Sequence, residues 1–168
     1  MGLDKTAGTF SLFFDGSTVG LRTSGENVDA FALLPDGSLL ISTEGVVRVP
    51  GASRSLRVEN EDILAFAPAE PGNYNKGLWS LYFDGSEAGI KGGSENVDGF
   101  AIGPKGELYL TTTGRFSIND LAGGGADIFI ATPVLLENSP AYNFSPILFF
   151  EGSLHGLERN NIDALSIP

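Results

Sequence analysis

The residues whose types and spacing could do chemistry are acids that return at corresponding places along the chain. Asp15, Asp84 and Glu151 each stand inside a Phe-Asp/Glu-Gly-Ser turn, and Asp29, Asp98 and Asp163 each follow an Asn-Val or Asn-Ile pair. Carboxylates gathered in loops could hold calcium, a hard cation that takes roughly six to eight oxygen ligands. An Asp before Gly equally serves as a turn cap, accepting backbone N–H bonds within its own loop. None of the six sits in the dense acidic ligand spacing of a calcium loop, so capping is the first expectation and calcium the second.

Other chemistry-bearing residues are sparse. Tyr74 and Tyr142 fall between the expected strands and could form a platform for a carbohydrate or a peptide, whereas Trp79 and Tyr82 fill places held earlier by Phe10 and Phe13 and are expected in the core. Glu59, Glu61 and Asp62 form a short acidic cluster that reads as a solvated face. His155 is the only histidine, in a place held by Val19 and Ala88 elsewhere, and no serine lies in a Gly-x-Ser-x-Gly motif. A Ser-His-Asp device therefore has no support, and no catalytic residue is assigned. Gly123-Gly124-Gly125 lacks the trailing lysine of a phosphate loop and reads as a flexible linker.

These positions are set by an internal repeat of roughly 70 residues. Phe14-Asp15-Gly16-Ser17 returns as Phe83-Asp84-Gly85-Ser86 and as Phe150-Glu151-Gly152-Ser153. Glu26-Asn27-Val28-Asp29 returns as Glu95-Asn96-Val97-Asp98, then as Asn160-Asn161-Ile162-Asp163. The copies span approximately 10–78, 79–145 and a partial 146–168, within a single domain covering 1–168. Each block is a β-branched and aromatic run bounded by Gly, Pro, Asp and Asn, which predicts strands. Strand D is Phe10 to Asp15, A is Val28 to Leu34, B is Ser38 to Thr43 and C is Asp62 to Ala67, giving the order D-ABCD-ABCD-A. Pro35-Asp36-Gly37 predicts a tight A-to-B hairpin, the B-to-C connections read as exposed loops, and no segment sustains a helical apolar period.

The strands are apolar on both faces: Ala30, Ala32 and Leu34 oppose Phe31 and Leu33, and Phe10, Leu12 and Phe14 oppose Phe13. Such strands belong to sheets covered front and back, as in the blades of a β-propeller, with the small residues of strand A suited to the crowded inner position. The expected fold is thus all-β, an antiparallel meander in propeller-like blades; the alternative is a single-chain ten-stranded barrel or sandwich. Two whole blades cannot close a ring that typically needs about four to eight, so self-association into a homo-oligomer is expected.

Composition narrows the partners. The chain of 168 residues is 42% hydrophobic and 18% charged, with a formal net charge of −11 and no cysteine. That charge argues against nucleic acid and anionic lipid as partners. Disulfides and thiolate chemistry are excluded. No apolar run approaches the ~18 residues of a membrane span, and Met1 to Thr9 has no signal-peptide pattern. Localisation is left unassigned.

The blocks Phe-Asp-Gly-Ser, Glu26 to Phe31, and Pro35 to Thr43 resemble those of a group of bacterial and environmental repeat proteins, in which a tyrosine-phenylalanine-aspartate-glycine-serine phrase alternates with acidic strand starts. The likeness spans nearly the whole chain and implies a repeat fold without implying an activity. Asp36 to Thr43 also resembles the inner-strand hairpins of propellers, calcium-dependent lactonase-like ones among them. The expected function is a non-catalytic interaction or scaffold module that self-associates through its repeat ends. A lectin-like, calcium-dependent binding module stands second, and a metal-dependent lactonase-like hydrolase third.

Overall fold

The structure is a computed structural model that describes residues 7–136 and 139–167. It is all-β, with antiparallel pairing between every pair of strands. The strands are β1 Val28–Leu33, β2 Leu39–Thr43, β3 Val47–Pro50, β4 Ser55–Val58, β5 Ile63–Glu70 and β6 Asn73–Phe83. After a four-residue helix, α1 Gly85–Ala88, come β7 Val97–Ile102, β8 Leu108–Thr112, β9 Phe116–Ile118, β10 Leu121–Gly123, β11 Phe129–Leu136 and β12 Ser139–Phe144.

Two four-stranded sheets, ordered β1-β2-β5-β6 and β12-β11-β8-β7, carry the molecule, and two small hairpins, β3-β4 and β9-β10, are attached to them. Among the described residues none of these sheets closes into a barrel. The β1-to-β2 connection is the tight turn that Pro35 and Gly37 predict: Gly37 donates to the Leu34 carbonyl at 2.9 Å with φ +85°. The β7-to-β8 turn matches it through Gly106, φ +81°.

Four expectations need correction. The B-to-C connections are not plain loops, because Val47, Val49 and Val58 on one side and Phe116, Ile118 and Leu121 on the other fold the two hairpins onto the sheets and are buried there. Phe10 to Asp15 does not form a strand: the matching Trp79 to Phe83 pairs with β5, and the described residues ahead of Phe10 hold no such partner. Ile162 to Ser166 is likewise unladdered, with no described strand beside it playing the part that β2 plays for β1. The Gly123-Gly124-Gly125 run is not a linker: it ends β10, and a Cβ on Gly125 would overlap Asn161 and crowd the Thr112 carbonyl.

Two apolar clusters fill the interior. In the first, Leu39, Ile41, Leu64, Phe66 and Trp79 on one face of the first sheet pack with Val47, Val49 and Val58 of the first hairpin. In the second, Phe100, Leu108, Leu110 and Phe129 of the second sheet pack with Phe116, Ile118 and Leu121 of the second hairpin. This second cluster is closed by the opposite face of the first sheet, through Leu40, Ala30, Ala32 and Ala65. The small alanines let β1 approach β7, so the sheets meet by their first strands.

Candidate functional site

The acids singled out by the sequence resolve into backbone caps and a row of side-chain bridges. Asp15 accepts from the Ser17 backbone N–H at 3.1 Å and from the Ser17 hydroxyl at 2.6 Å. Asp84 caps α1, accepting from the Glu87 N–H at 2.9 Å and the Ser86 hydroxyl at 2.8 Å, and Glu151 accepts from the Ser153 hydroxyl at 2.9 Å. These three lie in separate turns, each using its oxygens locally.

Asp29, Asp98 and Asp163 form a different arrangement. Asn96, at the entrance to β7, donates through Nδ2 to Asp29 on β1 at 3.4 Å, and Asn161 donates to Asp98 on β7. Burial pushes the Asp29 carboxyl up against the opposing pull of Asn96, and the like charge of Asp98 adds to the rise. Asp98 is raised in the same way, by burial against the pull of Asn161 and then by Asp163. Each Asp in this row therefore feels the next one. Asn96 is itself 5% exposed, and its Oδ1 has no hydrogen-bond partner among the described residues. No group of three or more His, Cys, Asp or Glu side chains close enough to hold a metal ion occurs among the described residues.

The aromatic candidates lie within strands, not in loops. Tyr74 is in β6, 6% exposed, with its hydroxyl donating to the Gly37 carbonyl at 3.0 Å and its ring 4.6 Å from that of Phe13. Tyr142 is in β12, half-buried, its ring edge-on to Phe83 at 4.7 Å, and burial raises its phenol pKa. Trp79 is buried as expected and donates from Nε1 to the Val19 carbonyl at 2.8 Å. His155 is exposed and stacks flat on Phe150 at 4.7 Å.

Sequence reasoning passed over two sets of carboxylates that do more structural work. Glu61 and Asp62 are buried, which corrects the expectation of a solvated face. Asp62 accepts from the Gly85 N–H and the Glu59 N–H, both at 2.9 Å, tying the start of β5 to the turn that ends β6. Its counterpart Asp127 does the same with Gly152 at 2.9 Å and Gly124 at 2.7 Å. Burial outweighs the Gly85 hydrogen bond and, with the charge of Asp84, lifts the Asp62 carboxyl to about 6. Glu26 and Glu95 reach back to backbone amides at Arg22 and Thr23 and at Lys91 and Ser117. For Glu26, burial raises the carboxyl but these hydrogen bonds together bring it below its ordinary value. The signal that could have found Asp62, Asp127, Glu26 and Glu95 was the return of each acid between the first two copies; Glu61, replaced by Ala126 in the second, carried no such signal.

No family model, curated protein or solved structure matches this chain.

Proposed function

We propose that the chain is a non-catalytic interaction module that self-associates head to tail, its two four-stranded sheets acting as propeller-like blades of an incomplete stack. One comparison carries this reading. Phe31 on β1 is 67% exposed, whereas Phe100, at the matching place on β7, is 3% exposed. What covers Phe100 is the alanine-bearing face of the neighbouring sheet. Val28 and Leu33 are exposed beside Phe31, and Val28 and Phe31 border an open apolar groove with Leu12, Phe13 and Ile41. A contiguous apolar surface of this kind marks an interaction site more often than a solvated one.

The occupant that fits is a second copy of the chain, presenting the exposed Ala164 and Ser166 of its C-terminal segment, the counterparts of the Ala30 and Ala32 that cover Phe100. Within one chain that segment lies over the second sheet, with Leu165 against the buried Gly99, which leaves Ala164 and Ser166 exposed. The contact joins two different faces and is therefore heterologous, building a ring if the rotation closes and a filament if it does not. Light scattering tests it: the wild type is expected above the monomer mass at micromolar concentration, and a Phe31→Asp, Leu33→Asp variant at the monomer mass with its far-UV spectrum unchanged. A wild type that stays monomeric throughout would remove the proposal.

A further inference from the structure

We propose that the cleft between Gly20 and the β3-β4 hairpin binds a tetrahedral oxyanion, the phosphate or sulfate group of a small ester. The cleft, about 530 Å³, is lined by Arg22, Arg48 and Arg54 together with the hairpin turn Gly51, Ala52 and Ser53. The chain has 21 acids against 10 lysines and arginines, yet three of those ten converge here and no carboxylate lines the space. The single ion pair among the described residues joins Arg57 to Glu59, so none of the three guanidiniums is neutralised by a described acid.

The fold does not require this charge. The second hairpin, β9-β10, is built with Ser117 where β3 has Arg48 and with Asn119 and Asp120 in its turn. The arginines are thus additional to what buries Val47 and Val49. The donor geometry suits an oxyanion as well. Guanidiniums are planar donors that grip phosphate or sulfate oxygens two at a time. The turn is closed by Gly51 donating to the Arg54 carbonyl at 3.0 Å, and the N–H groups of Ala52 and Ser53 have no hydrogen-bond partner among the described residues. Three arginines, Arg22 with its Nε donating to the Ser17 carbonyl at 3.2 Å, line one cleft together with the turn that carries these two amides, which concentrates positive charge at a single place in an otherwise acidic molecule.

The test is an amide NMR titration of the full chain with sodium phosphate and with sodium sulfate, each against sodium chloride at equal ionic strength. Saturable shifts at Gly20, Ala52 and Ser53 are expected with the oxyanions and not with chloride. A phosphate ester is indicated when phosphate at pH 7.5, where its dianion predominates, binds more tightly than sulfate; a sulfate ester is indicated when sulfate binds the more tightly of the two. An Arg48→Ala, Arg54→Ala variant should weaken binding at least tenfold, while Arg115→Ala, on the other hairpin, should leave it unchanged. Arg22→Gln supplies a second variant with the hairpin intact. Shifts indistinguishable from those of chloride, or equal affinity in wild type and both cleft variants, would overturn the proposal.

Discussion

At the scale of single residues, carboxylates organise the backbone, and the direction in which burial shifts them predicts how stability depends on pH. Asp29, Glu61, Asp62 and Asp98 are all raised, in each case first by burial. A carboxyl raised in the folded state binds more protons there than in the unfolded chain. Stability should therefore fall as pH rises from about 4, the ordinary carboxylate range, through about 6, where Asp62 titrates. Glu26, which is lowered, works in the opposite direction but stands alone. Urea midpoints at pH 4.5 and pH 7.5 check this: the higher midpoint is expected at pH 4.5, and Asp62→Asn should flatten the slope between them. The caps are a separate matter. Asp84→Ala removes the acceptor for the Glu87 amide and should cost about 1 kcal/mol, the usual worth of an N-cap, in a urea titration.

At the scale of elements, the connection from β6 to β7 is fixed by close backbone approach, and this separates glycines that look alike in the sequence. A Cβ on Gly85 would overlap the Glu61 carbonyl and one on Gly152 the Ala126 carbonyl, whereas at Gly16 it would only press on the flexible Leu21 side chain at 3.1 Å. Gly85→Ala and Gly152→Ala should each lose roughly 1–3 kcal/mol, as overpacking does, and Gly16→Ala much less; thermal melts of the three variants provide the comparison. The bodies of seven of the eight sheet strands were legible in the sequence because their apolar runs are bounded by Gly, Pro and Asn, and the Pro35 to Gly37 turn was legible from its residues; β12 was not, since Ser139 to Phe144 reads as a loop and the apolar run ending at Phe150, expected as the last D strand, holds only a single bridge from Phe150 to Ile128. The hairpins were not, since Val47-Arg48-Val49 and Phe116-Ser117-Ile118 are too short for alternation to stand out. Phe10 to Asp15 was misjudged for another reason: its composition suits a strand, but a strand needs a neighbour, and pairing is not a local property. The burial of Glu61 and Asp62 was hidden because a run of acids gives no hint of the Gly85 amide 23 residues on.

At the scale of the whole molecule, the proposed self-association sets two opposing terms against each other. The groove bordered by Phe31 and Leu12 favours contact, and the net charge of −11 on each copy opposes it. Screening weakens only the second term, so the sedimentation coefficient should increase between low salt and about 0.5 M sodium chloride, where the Debye length falls to a few ångströms; dissociation by salt would instead point to charge pairing between copies. Photo-crosslinking from a benzoylphenylalanine placed at position 31 goes to the central claim most directly. Adducts between chains that map to Ile162 through Ser166 of a second copy are the predicted result. Adducts confined to the same chain, in a preparation that binds no second copy, would contradict it.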